Sequence, residues 1–255
     1  MSTSVTFDSN VWENIVDENK RNTPDQICIK LYELIKNGSI TPYFFEGLAT
    51  IEVIGRRDRK EYVSNYKAGF SMSIDGEEVA LHPGSGGPVI SDYLKILVPR
   101  ALELGFRFIK LRRIGAPSLD IPERHFAPDA KYCMKERQAR TSQCMRFIED
   151  VLKAGRGQLM SELDPTDGGL VHRTQNDGSL TTKKYSELVS EWSDGDALAA
   201  HYGYGIDFFC TNDRASGAGS SSIFYPTNLQ KLEQRYPVNV VSPERLVLAL
   251  GVTSA

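Results

Sequence analysis

Val5-Thr6-Phe7-Asp8-Ser9-Asn10-Val11-Trp12 is a β-branched and aromatic run that stops at a carboxylate and then turns helical. Val5 to Phe7 predicts a buried strand, and Val11, Ile15 and Val16 recur at helical spacing after Asp8. A similar stretch lies near the other end, where the apolar run Ile206 to Thr211 leads into Asn212 and Asp213. In an open parallel α/β sheet, ligands bind in the crevice at the carboxyl ends of the strands. Two acids delivered there by separate strands could bind a divalent cation together. Hard oxygen ligands point to Mg²⁺ or Mn²⁺ acting on phosphates.

Working outward, Thr23 is a capping candidate and Pro24 suits a first helical turn. Ile27, Leu31, Leu34 and Ile35 form the apolar stripe of that helix, and Gly38 stops it. Ile40-Thr41-Pro42 starts a new element, and Tyr43 to Ile54 reads as a helix carrying Glu46 and Glu52. Phe70 to Ile74 alternates like a strand before a turn at Asp75-Gly76, and His82 to Pro88 reads as a loop. Tyr93 to Leu104 predicts a helix interrupted at Pro99, Phe106 to Leu111 a strand, and Lys131 to Lys153 one long helix. Asp164 to Thr182 is polar and Gly-rich, a surface excursion. Asp196-Ala197-Leu198-Ala199-Ala200-His201 opens a small-residue helix ending by Gly203 or Gly205. Val238 to Val241 is a strand, and Ser242-Pro243-Glu244 caps a last helix. Strands alternating with helices favour a mainly parallel sheet covered on both faces.

The 255 residues allow one large domain or a domain with a substantial insertion. No apolar run approaches the roughly 20 residues that cross a bilayer. Met1-Ser2-Thr3-Ser4 leads straight into a strand-like segment with no signal-peptide pattern, so the cytosol is the expected location. Cys28, Cys133, Cys144 and Cys210 include no Cys-x-x-Cys pair and read as scattered thiols. The net charge of −3 conceals an uneven distribution. Residues 100–140 hold ten Lys or Arg against five acids, a net of +5, whereas 161–200 carry −5. The basic segment is a candidate for phosphate attraction.

Four acids sit at expected element boundaries. Asp8 and Asp213 follow strands, Asp196 opens a helix whose partly positive N-terminus favours an anion, and Glu46 lies on the helix after the second strand. Clustered carboxylates repel, so holding them ionised together implies a compensating cation.

Asp8-Ser9-Asn10-Val11-Trp12 resembles the opening motif of the PIN-domain nucleases. Asp196 to Ala200, leading through Gly205 to Thr211-Asn212-Asp213, is similar to that family's closing motif. The resemblance spans residues 5–55 and 190–250. It implies a Rossmann-like three-layer α/β/α sandwich and a ribonuclease, endonucleolytic by preference, acting on single-stranded or structured RNA through bound Mg²⁺ or Mn²⁺. It makes Asp8, Glu46, Asp196 and Asp213 the catalytic acids, with Asp8, Asp196 and Asp213 as metal ligands. Asn10 and Thr211 would steady the ligands or a bound water. Glu52 competes with Glu46, and Asp194 with Asp196.

Glu46 and Asp196 are 150 positions apart, more than a minimal α/β domain needs. The expected division is therefore a core of residues 1–56 and 186–255, with 57–185 as an insertion containing the basic segment. Within it, Arg112 and Arg113 are candidate RNA contacts. Small proteins of this family often act as toxins held by an antitoxin, so a protein partner is a second expectation. A non-catalytic RNA- or protein-binding module is one alternative. A phosphohydrolase on another Rossmann-like fold is the other. Haloacid-dehalogenase enzymes also open with an Asp after the first strand but need a second Asp two residues on, where this chain has Asn10.

Other signals carry less. Gly84-Ser85-Gly86-Gly87 lacks the Lys-Ser/Thr of a phosphate loop. His125, Cys133 and Cys144 match no usual zinc spacing. His201, Trp12 and Tyr204 read as packing residues.

Overall fold

A computed structural model describes residues 2–22, 26–49, 70–75, 78–83, 92–111, 122–128, 131–158, 181–215 and 219–251. Its strands are β1 (Thr3–Phe7), β2 (Ile40–Phe45), β3 (Phe70–Asp75), β4 (Glu78–Pro83), β5 (Arg107–Ile109), β6 (Phe208–Cys210) and β7 (Val240–Val241). β3 and β4 form an antiparallel hairpin of their own, and the others make one sheet in the order β5-β2-β1-β6-β7. Every pairing in that five-stranded sheet is parallel. Counted along the chain, its strands run 3-2-1-4-5. The direction of winding therefore reverses between β1 and β6. In doubly wound folds that reversal opens the crevice where ligands bind.

The helices are α1 (Ser9–Val16), α2 (Glu18–Arg21), α3 (Ile27–Lys36), α4 (Asp92–Leu104), α5 (Met134–Arg146), α6 (Thr182–Tyr204), α7 (Pro226–Arg235) and α8 (Pro243–Ala249). Successive strand residues face opposite sides of the sheet, so each strand feeds two cores. Val5 and Phe7 of β1, with Ile40 and Phe44 of β2, pack beneath α1, α3, α4 and α8. Phe45, Ile109 and Phe209 pack on the other side beneath α5, α6 and α7. The result is the Rossmann-like three-layer sandwich expected from the sequence. Aromatic rings dominate the first core. Phe44 stacks on Phe108 with centroids 4.1 Å apart, and Trp12 meets Phe44 edge-on at 5.4 Å.

Several local expectations need correction. Tyr43 to Phe45 belong to β2, and only a short 3-10 turn, Glu46–Ala49, follows. Strand β2 lies between β1 and β5 and is covered on both faces, and after Thr41 its side chains, Pro42 to Phe45, form an apolar run. Such a run shows no alternation that separates strand from helix. Pro42 adds to the ambiguity, because proline is rare inside strands. Glu52 lies outside the described residues, so Glu46 is the acid of this region whose position is known. Helix α4 runs through Pro99 without a break, with that residue exposed to water. The expected single helix from Lys131 to Lys153 is α5 followed by a π-helical turn, Phe147–Val151, and Lys153 turns the chain with φ +54°. α3 begins at Ile27 with Gln26 at its N-cap position, and the expected Thr23 and Pro24 lie outside the described residues.

The division at residues 57 and 185 is also corrected. Strand β5 is an edge of the central sheet, α4 packs in its first core and α5 against α6. The stretch from 92 to 158 therefore builds the sandwich rather than a separate subdomain. No helix among the described residues is long and apolar enough to cross a membrane.

Candidate functional site

Parallel pairing brings the carboxyl ends of β1 and β6 level, with Phe7 opposite Cys210. The Asp8 N–H donates to the Cys210 carbonyl at 3.0 Å, so the ladder extends to the first acid. Asp8 then leaves the strand conformation and caps α1, accepting the Ser9 N–H on Oδ1 at 2.7 Å. Its Oδ2 accepts from the Thr211 hydroxyl at 2.6 Å and from Asn10 Nδ2 at 2.7 Å. Both oxygens of the carboxylate are thus oriented by donors from two adjacent strand ends. Asn10 also ties the two loops together, since its Oδ1 accepts the Asn212 N–H at 3.0 Å.

The Thr211 hydroxyl links the acids. It donates to Asp8 and accepts the Asp213 N–H at 2.9 Å. Asp213 Oδ1 accepts the Ala215 N–H at 2.6 Å, which closes a tight turn, and Oδ2 accepts no hydrogen bond among the described residues. The Asp8 carboxylate and the Asp213 backbone are therefore joined by one hydroxyl at the winding reversal, where doubly wound folds bind ligands. Asn10 and Thr211 position Asp8 directly.

Asp196 does not open a helix. α6 starts at Thr182, with the Thr181 hydroxyl accepting the Lys184 N–H, so Asp196 lies well inside it and gains nothing from the helix N-terminus. Helical phase then separates the two acids of this segment. Seven residues advance a helix by about two turns, so residues seven apart share a face. Asp194 therefore shares the face of His201, whose Nδ1 lies 3.0 Å from Thr6 Oγ1 on β1. Asp196 shares the face of Gly203, where an added Cβ would press on Thr141 and the Arg137 carbonyl of α5. Asp194 is half-buried on the sheet side, whereas Asp196 is 4% exposed on the α5 side.

The same helix supplies an acid that sequence reading passed over. Glu191 is buried, and its Oε2 accepts the Ile223 N–H at 3.2 Å. Burial pushes its pKa up to about 7, hydrogen bonds from Ser222 and Ile223 pull it back, and the charge of Asp213 pushes it further up. Glu191 thus stands electrostatically beside Asp213. A signal existed in the sequence: Leu188, Glu191 and Leu198 lie on one stripe, so an acid interrupts an apolar face.

Glu46 follows β2 at the same end of the sheet. Its Oε1 accepts the Leu111 N–H at 2.8 Å, tying the end of β2 to the chain leaving β5. Among the described residues, no three His, Cys, Asp or Glu side chains lie close enough to hold a metal ion by themselves.

His201 is fully buried, and burial drives its imidazole pKa down from 6.5 to about 3. It packs edge-on against Phe209 at 5.6 Å, a packing role. His201 and Glu191 oppose each other in pH dependence. Between pH 3 and 6.5 the unfolded chain binds a proton at His201 that the fold refuses, so stability falls as pH drops. Between pH 4.5 and 7 the fold keeps a proton on Glu191 that the unfolded chain loses, so stability falls as pH rises. The two effects cancel where they overlap. In urea melts of metal-free protein, His201→Gln is expected to expose a fall in stability with rising pH through 4.5–7. Glu191→Gln is expected to expose a rise through 3–6.5, each slope reaching about 1.4 kcal/mol per pH unit. Unchanged profiles would show that neither group is held as described.

The basic segment 100–140 is largely engaged within the fold. Lys110 pairs with Glu123 at 2.9 Å and lies 3.5 Å from the Phe126 ring centre. Arg107 donates to the Leu102 and Phe106 carbonyls, and Lys131 to the Gly205 carbonyl. Arg137 lies over Tyr204, and Arg140 between Tyr132 and Tyr202. Arg112 and Arg113 lie outside the described residues, as does the Gly84 to Gly87 run.

No protein-family model matches the chain, and neither a curated protein nor a solved structure is significantly similar to it.

Proposed function

We propose that the chain is a PIN-like, metal-dependent endoribonuclease whose site lies at the winding reversal between β1 and β6. One observation carries this reading. The Thr211 hydroxyl joins the Asp8 carboxylate on one strand end to the Asp213 backbone N–H on the next, and Asp213 keeps a carboxylate oxygen without a hydrogen-bond partner among the described residues.

The donor set fits Mg²⁺ or Mn²⁺. Mg²⁺ is commonly held by one or two carboxylates, with waters and substrate phosphates filling the other positions, so a cage of three protein acids is not required. Asp8 and Asp213 are the proposed ligands. Asp194, on the sheet-facing side of α6, is preferred to Asp196 as the third acid. A bound divalent cation would lower the pKa of an attacking water and offset charge on the phosphate. Asn10 and Thr211 hold the Asp8 carboxylate in place. Glu46 supports the end of β2 rather than binding the metal.

The test is cleavage of a circular single-stranded RNA, which only an endonuclease can open. Opening is expected with Mg²⁺ or Mn²⁺, to be lost in EDTA and to return when metal is restored. The products should end in 3′-hydroxyl and 5′-phosphate, with water attacking phosphorus and the 3′-oxygen leaving. A 2′,3′-cyclic phosphate would mean that the RNA's own 2′-hydroxyl attacks, and would overturn the reading. RNA that binds but is never cut would instead indicate a non-catalytic module.

A further inference from the structure

Helices α5, α6 and α7 meet around an open groove of about 640 Å³ lined by Gln143, Arg146, Tyr202, Arg235 and Tyr236. Its floor is aromatic and fixed. Tyr202 and Tyr236 meet edge-to-face at 4.9 Å, and Tyr236 also packs against Phe147. The Tyr236 hydroxyl donates to the Gln143 carbonyl at 3.1 Å, and the Arg140 guanidinium lies 4.0 Å from the Tyr202 ring centre. The walls carry Arg146 and Arg235, both exposed and forming no ion pair among the described residues. Among the described residues, no acid lines the groove.

We propose that this groove is an exosite for the phosphodiester backbone of single-stranded RNA, placed away from the cleavage site; the inference rests on the ribonuclease reading. Two forked guanidiniums on rigid helices suit phosphate oxygens. Tyr202 is half-buried in the floor, an aromatic surface of the kind that serves any base sequence. The exosite lies outside the segment of highest charge, because most of that segment's described cations are engaged in holding the fold. Along α6, Glu191 and Tyr202 are separated by roughly 17 Å at 1.5 Å per residue. At about 3.4 Å per stacked nucleotide, about five nucleotides cover that distance. Only RNA longer than that reaches both.

The experiment compares fluorescein-labelled oligouridylates of about 20 and about 4 nucleotides, by anisotropy in EDTA and by cleavage with Mn²⁺. Arg146→Glu/Arg235→Glu is expected to weaken 20-mer binding about tenfold and to raise its KM with kcat unchanged. Its salt slope should fall by about 1.4, two phosphate contacts at roughly 0.7 each on single strands. The short oligomer should be cut as by the unsubstituted protein, and Arg146→Lys/Arg235→Lys should restore most of the binding. If the long RNA binds normally but ignores the charge reversal, the exosite is wrong and the ribonuclease reading stands. If the unsubstituted protein neither binds nor cuts RNA, that reading fails and takes the exosite with it. Equal displacement of RNA by polyglutamate would assign the groove to acidic peptides and overturn the RNA assignment.

Discussion

Asp8→Asn is expected to slow metal-dependent RNA cleavage by about 100-fold or more, the loss that follows removal of one preorganised charge-stabilising group. The substitution keeps shape while removing charge. The amide oxygen can still accept the Ser9 N–H, so the cap of α1 survives. The new NH₂ would face Asn10 Nδ2 and the Thr211 hydroxyl, both donors to Oδ2 in the native site. Thr211 can rotate its hydrogen away, and the Asn10 amide has to flip. The stability cost is therefore about 1 kcal/mol, small beside the loss of rate. Asp213→Asn should slow cleavage comparably while preserving the Ala215 turn, since its oxygen can still accept.

The acids of α6 sharpen the same test. Asp194→Asn is expected to reduce activity more than stability, and Asp196→Asn stability more than activity, because helical phase puts them on different faces. Single-turnover cleavage across a Mn²⁺ titration, paired with urea melts, separates the two. Retention of EDTA-sensitive cleavage by Asp8→Asn would remove the carboxylate pair from the mechanism. A larger activity loss at Asp196 than at Asp194 would reverse the assignment on α6.

The β1–α1 corner was legible because local chemistry alone determines it. A β-branched run, a capping Asp and a helical stripe all agree there, as do Ser242 and Pro243 at the start of α8. Strand β2 was not, since burial on both faces erases the alternation that identifies a strand. The start of α6 was missed for a related reason. The segment before Asp196 mixes buried Leu188, Val189 and Trp192 with Glu187, Ser190 and Ser193, so its stripe is weak while the Ala-rich end stands out. Asp196 looked like a cap only because the helix ahead of it went unread. The stripe of Leu188 and Leu198 marks Glu191 as an acid on an apolar face, but its partners come from a contact no local pattern encodes, the return of Ser222 and Ile223 onto α6. Charge counting at residues 100–140 does not distinguish the described Lys110, Lys131, Arg137 and Arg140, which are bound to carbonyls, carboxylates or rings, from the exposed Arg100, Arg124 and Lys135. Net charge counts cations; only the fold says which remain free.

Trp12→Ala is expected to destabilise the protein by about 3–5 kcal/mol, a large part of the 5–15 kcal/mol that typically holds a domain together. Trp12 is fully buried, one turn after Asp8, and wedges α1 onto the aromatic core through Phe44 at 5.4 Å and Phe106 at 6.5 Å. Those rings are themselves in contact and belong to β2 and to the entry of β5, so they have little freedom to close the cavity. Trp12→Phe isolates the packing contribution. It keeps an aromatic wedge and removes a buried indole N–H that has no hydrogen-bond partner, a group costly to desolvate. Its loss should therefore be under about 1.5 kcal/mol, in the range of conservative core exchanges. The consequence reaches the site through α1. Loosening that helix frees Ser9 and Asn10, two of the residues that orient the Asp8 carboxylate. Trp12→Ala protein assayed well below its melting temperature should thus also cleave more slowly. Urea melts and cleavage rates on the two variants decide it. If Trp12→Ala costs no more than Trp12→Phe, the aromatic wedge does not anchor α1.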